Sequence, residues 1–130
     1  MKPARILLVD DDAALRAVIT RALQQAGHKV MPARDGRDAL TLLNHAPVDL
    51  IITDLLMPEQ DGIELILRVR RCRPKLPILA ISGGGNRFRG EYYLQMAKVI
   101  GATRLLPKPF TAESLLAEVS ALLLPAAREV

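Results

Sequence analysis

Short apolar runs alternate five times along the chain with longer stretches whose apolar residues recur at helical spacing. The runs Arg5 to Asp10, His28 to Ala33, Val48 to Asp54, Pro77 to Ser82 and Thr103 to Leu106 predict β-strands. The first and third are nearly unbroken Ile, Leu and Val, the composition of central strands covered by helices on both faces. After the first run, Leu15, Val18, Ile19, Ala22, Leu23 and Ala26 form one apolar helix face, stopped by Gly27. Shorter stripes mark helices over Gly36 to His45, Gly62 to Arg73 and Glu91 to Ile100, the last stopped by Gly101. Thr111, with Ser114 three residues on, opens a fifth helix through Leu115, Leu116, Val119, Leu122 and Leu123, ended by Pro125. Strict alternation of this kind predicts a doubly wound α/β domain with a parallel sheet. In such domains ligands bind beyond the carboxyl ends of the strands.

Composition narrows the reading further. Half of the 130 residues are apolar and a quarter charged, enough for a single domain with its own core and too little for two. Residues 1–130 are read as that one domain, with its core over about 5–124 and a short tail over 125–130. No apolar stretch approaches the ~18 residues of a membrane span, and the start lacks a signal-peptide core. A cytoplasmic chain with no membrane role is therefore expected. Cys72, the single cysteine, has no disulfide partner in the chain and is expected as a free surface thiol. The net charge of +4 invites an anionic partner, yet the cations are scattered. Their one cluster, Arg68 to Lys75, suits a solvated helix end. Nothing resembles a nucleic-acid-reading motif, so no direct nucleic-acid binding is expected.

The chemistry-bearing residues gather at the ends of the predicted strands. The first run ends in Asp10-Asp11-Asp12 and the third in Asp54. If those strands are neighbours, several carboxylates converge, and two such charges ~5 Å apart repel by ~3 kcal/mol at an effective dielectric near 20. A cluster of this kind raises a pKa or holds a cation, and oxygen ligands favour Mg²⁺ or Mn²⁺. Asp12 has the simpler role of capping the first helix. Ser82 ends the fourth run, and Lys108, between Pro107 and Pro109, follows the fifth. A hydroxyl and an ammonium beside an acidic metal corner suit a phosphoryl group, toward which a carboxylate can act as nucleophile.

The sequence resembles the receiver domain of bacterial two-component response regulators. The resemblance is carried by Ile6-Leu7-Leu8-Val9-Asp10-Asp11-Asp12, Ala33-Arg34-Asp35-Gly36, Asp54-Leu55-Leu56-Met57-Pro58-Glu59-Gln60-Asp61-Gly62, Ile81-Ser82-Gly83 and Lys108-Pro109-Phe110, and runs from about Arg5 to Leu124. It implies a flavodoxin-like sheet of order 2-1-3-4-5 flanked by five helices. It further implies Asp54 as phosphoacceptor, with Mg²⁺ (or Mn²⁺) held by Asp11, Asp54 and the backbone carbonyl of Leu56, and assisted by Asp10. Ser82 would turn its hydroxyl toward the phosphoryl group, Lys108 would pair with its oxygen, and Lys108–Pro109 would be cis. The donor would be a histidine kinase or a histidine phosphotransfer protein, and phosphorylation would alter a surface read by a downstream effector. The apolar surface around the fourth and fifth helices is the expected partner contact.

Three departures accompany the resemblance. Leu105 stands where the family often has Tyr or Phe, the segment from Ser82 to Gly90 is glycine-rich and longer than usual, and Pro107 removes a backbone donor. The glycine segment is not a nucleotide loop, because Glu91 and Tyr92 stand where a phosphate-binding loop needs Lys and Ser or Thr. Two rival functions share part of the pattern. A haloacid-dehalogenase-type phosphohydrolase would use Asp10 and Asp12, but Ala14 departs from its motif, no acidic pair follows Lys108 and there is no room for a cap. An inert pseudo-receiver would not need all five site positions filled.

Overall fold

A computed structural model describes residues 3–55, 62–82, 95–98 and 100–124. Its five strands are β1 (Arg5–Val9), β2 (Lys29–Ala33), β3 (Leu50–Asp54), β4 (Ile78–Ser82) and β5 (Arg104–Pro107). All pair in parallel, in the order β2-β1-β3-β4-β5. The helices are α1 (Ala13–Gln25), α2 (Gly36–His45), α3 (Gly62–Cys72), α4, described over residues 95–98 and 100, and α5 (Ala112–Leu123). The expected fold and strand order are thus present.

The sheet separates two cores, and period-two alternation along each strand assigns its residues between them. Leu7, Val9, Ile51, Ile78 and Ala80 meet Ala39 and Leu43 of α2, Leu65, Ile66 and Val69 of α3, and Ala97 of α4. On the other face Ile6, Leu8, Leu50, Ile52, Leu79 and Ile81 meet Ile19 and Leu23 of α1 and Leu115, Val119 and Leu122 of α5. Every residue of β3 and β4 is buried, which is why those runs carry no polar alternation. The edge strands β2 and β5 are partly exposed, and each holds a proline, Pro32 and Pro107, where a missing N–H is tolerated.

Local signals set the element ends. Asp12 caps α1 by accepting the Leu15 N–H at 3.1 Å. At the far end Gly27, at φ +96°, allows the His28 N–H to reach Leu23 O and its own N–H to reach Gln24 O, a Schellman closure. Thr111 and Ser114 form a reciprocal capping box on α5.

Several expected boundaries move. Asp10 leaves β1, and Val48 and Asp49 precede β3. Likewise β2 starts at Lys29, β4 at Ile78 and β5 at Arg104, and α3 ends at Cys72. Thr103 stays out of β5 because its hydroxyl accepts the Ile78 N–H at 3.0 Å. Val18 does not share the buried stripe of α1; it is 65% exposed. Cys72 is an exposed free thiol. No helix among the described residues is long and apolar enough to cross a membrane.

Two long-range polar contacts tie the amino-terminal edge of the sheet. The Arg70 guanidinium donates to Gly101 O, Arg73 O, Leu76 O and the Thr103 hydroxyl at 2.6–3.2 Å, joining α3 to the turns that feed β4 and β5. It also fills the space beside Gly101, whose φ of +129° and a would-be Cβ 2.7 Å from Arg70 Cγ exclude a side chain there. Buried His28 accepts the Ala4 N–H on Nδ1 at 3.1 Å, and burial lowers its pKa below 6.5.

Arg70→Met leaves three carbonyls without this donor and is expected to cost about 2 kcal/mol in urea unfolding. Because the folded pKa of His28 is depressed, its contribution is complete above pH 6.5 and falls as pH drops below that value. The stability gap between wild type and His28→Gln is therefore expected to narrow from pH 8 to pH 5.

Candidate functional site

The strand register builds the site. Val9 pairs with Thr53, so Asp10, one residue beyond β1, lies beside Asp54 at the end of β3. Asp54 pairs with Ile81, so Ser82 is one residue further along β4. Ser82 pairs with Pro107, and the Lys108 N–H bonds Ser82 O at 2.8 Å, which carries the lysine to the same edge. Four strand ends thus deliver Asp10, Asp11, Asp54, Ser82 and Lys108 together, each positioned by the register of its strand.

One oxygen from each of Asp10, Asp11 and Asp54 lies within 4.8 Å of the others. Asp10 and Asp54 are only 1% and 5% exposed, so bulk water screens them poorly, whereas Asp11 is exposed. Lys108 Nζ is 3.3 Å from Asp54 Oδ2, a part-buried ion pair. The Asp10 carboxylate accepts the Asp12 N–H at 2.9 Å, yet burial dominates and, with the nearby Asp54 charge, pushes its pKa up to about 6. Ser82 Oγ is fully buried with no hydrogen-bond partner among the described residues. An unpaired buried hydroxyl costs about 1–3 kcal/mol, so its retention at this position needs a reason beyond packing.

The donor set fits a hard divalent cation: three carboxylates converge, all donors are oxygen, and the acids outnumber the single ammonium by two. The Leu56 carbonyl lies outside the described residues, as does the glycine-rich segment after Ser82. Lys108–Pro109 is cis. Leu105, in the position with aromatic precedent, is half-buried against the core that contains Ile78 and Ala80.

Two contributors carried no signal in the pattern of apolar and acidic residues. Gly62 begins α3 against the back of Asp54: a Cβ there would lie 2.4 Å from the Asp54 carbonyl oxygen, while the Gly62 N–H bonds Leu55 O at 3.2 Å. Arg16, in the second turn of α1, donates to the Asp10 carbonyl at 2.7 Å. Beside Lys108, α1 and α5 also leave an apolar groove of about 450 Å³ bordered by Leu15, Val18, Pro109 and Phe110.

Comparison with known proteins agrees with this geometry. The profile of the response regulator receiver domain matches residues 6–120. The chain is 40% identical over 122 residues to the response regulator MprA of Mycolicibacterium vanbaalenii and 36% identical over 119 residues to the DNA-binding transcriptional regulator NtrC of Azospirillum brasilense. Those matches cover 93% and 92% of this chain but 51% and 24% of the relatives, so the chain spans about half their length or less. Among solved structures, the chemotaxis response regulator CheY4 of Vibrio cholerae superposes with a TM-score of 0.82 at 35% identity, covering 94% of this chain and all of that one. The receiver domain of NtrX from Brucella abortus gives 0.83 at 30% identity, over 91% and 97%.

The Asp10 shift has a definite sign. Its folded pKa is raised, so the penalty is full above about pH 6 and absent below the unfolded value of 3.8. Without divalent ions, Asp10→Asn is expected to raise stability at pH 7.5 by about 1–3 kcal/mol, with the gain shrinking toward pH 4 in denaturant titrations. Gly62→Ala is expected to cost more than about 1 kcal/mol, because backbone rather than a flexible side chain must move.

Proposed function

The chain belongs to the response regulator receiver family, and on that premise we propose that it is a signalling switch thrown by phosphorylation of Asp54. The observation that carries this reading is the meeting of Asp10, Asp11 and Asp54 within 4.8 Å, with Lys108 3.3 Å from Asp54. In the proposed reaction a carboxylate oxygen of Asp54 bonds to phosphorus as the phosphorus–nitrogen bond of a phosphohistidine breaks. The electron pair of that bond stays on the imidazole nitrogen. A bound Mg²⁺ or Mn²⁺ would neutralise charge on the transferring oxygens, and Asp10, Asp11, Asp54 and the Leu56 carbonyl are the residues to hold it. Lys108 exchanges its Asp54 partner for a phosphoryl oxygen, and Ser82, whose hydroxyl has no hydrogen-bond partner among the described residues, gains one in the phosphoryl group. Beyond this self-modification the domain turns over no substrate of its own, and its setting is the cytoplasm.

The donor, a histidine kinase or histidine phosphotransfer protein, would dock over the groove between α1 and α5. Continuity supports this: Lys108 borders both groove and acidic site, so a protein presenting a phosphohistidine to Asp54 covers the apolar residues beside it. The expected contact around α4 and α5 lies partly outside the described residues. After transfer, the added charge of about −1.5 to −2 biases the surface that an effector reads.

Incubation with acetyl phosphate and Mg²⁺, followed by mass spectrometric mapping, is expected to place the label on Asp54, and Asp54→Asn to abolish it. A label on Asp10 would instead support a phosphohydrolase, and no label an inert module. Val18→Glu is expected to slow transfer from a phosphohistidine donor by about tenfold or more while leaving labelling by acetyl phosphate intact, because it places a charge in an apolar contact.

A further inference from the structure

We infer that Arg16 is a positioning residue that holds the Asp10–Asp12 turn in the shape a divalent cation needs; this rests on the cation site proposed above. Asp10 is the first residue beyond the β1 ladder. Its N–H is still tied to Ala33 O at 3.1 Å, and its carbonyl accepts from Arg16 Nη1 at 2.7 Å. Its side chain turns back to the Asp12 N–H at 2.9 Å, and Asp12 caps α1. Arg16 itself stands one helical turn past that cap, its N–H on Asp12 O at 2.9 Å. The guanidinium therefore closes a loop from helix to strand end, with Asp10 and Asp11 inside it.

The direction of the donor matters. Arg16 spends this hydrogen bond on a carbonyl rather than a carboxylate, which fixes the peptide between Asp10 and Asp11 and leaves the acid oxygens to a cation. Its remaining charge reaches α2. Asp38 there sits below the usual carboxylate range, first through its hydrogen bond to Arg34 and more weakly through the Arg16 charge. Arg16 thus lies half-buried between α1, the end of β1 and the start of α2.

Charge and position make opposite predictions. A cation beside three carboxylates gains affinity if a neighbouring positive charge is removed, so a purely electrostatic Arg16 would weaken metal binding by its presence. A positioning Arg16 strengthens it, as outer partners of metal ligands do, by about 10- to 100-fold.

Free Mn²⁺, followed by electron paramagnetic resonance in titrations of the folded protein, reads this without any phosphoryl donor. Arg16→Met is expected to weaken Mn²⁺ binding about tenfold. Arg16→Gln, which retains a donor but no charge, should fall between Arg16→Met and wild type. Arg16→Lys should stay within about threefold of wild type. Circular dichroism under the same conditions verifies folding, and Arg16→Gln carries the comparison if Arg16→Met does not fold. Unchanged or tighter binding in the Gln and Met substitutions would overturn the positioning role while leaving the cation site standing. Wild-type protein that is folded yet takes up no Mn²⁺ would overturn both.

Discussion

Two carboxylates, Asp10 and Asp54, are held side by side with almost no access to water, and the rest of the molecule exists to keep them there. Left alone they would separate or take up a proton: burial first, and the Asp54 charge after it, push the Asp10 pKa up to about 6. They cannot separate because Asp54 ends β3 and Asp10 directly follows β1, neighbouring strands locked between two apolar cores. The domain thus stores an electrostatic mismatch at one edge and offsets it with burial everywhere else. Lys108 relieves part of it.

Most of the fold was legible because parallel sheets advertise themselves. Unbroken runs such as Ile6 to Val9 and Leu50 to Ile52 report two-sided burial, and the helices between them leave one economical topology. What resisted reading was where each strand stops. Asp10 and Thr103 have the neighbours of strand residues, yet their polar groups answer to a helix cap and to the Ile78 N–H. Val18 shares the spacing of the buried stripe on α1, but spacing alone cannot tell the centre of a helix face from its margin.

The candidate site divides in the same manner. Asp10, Asp11, Asp54, Ser82 and Lys108 were visible as reactive residue types placed just beyond apolar runs. Gly62 and Arg16 act through backbone oxygens, which have no letter in a sequence. A glycine is needed at 62 because the Asp54 carbonyl occupies the space of a side chain, and an arginine at 16 reaches a carbonyl six residues earlier. Gly62 closes a segment that carries the resemblance, but the reason for a glycine there, and the part played by Arg16, become visible only when distances replace spacings.

The two sheet edges carry a consequence of their own. Pro32 in β2 and Pro107 in β5 each leave one backbone donor missing from an edge strand of a sheet whose strands β3 and β4 are wholly buried. An incoming strand from another molecule would find both borders notched, so the domain is protected against growth by edge-to-edge stacking. The domain can then remain at high concentration without joining its own copies into ribbons.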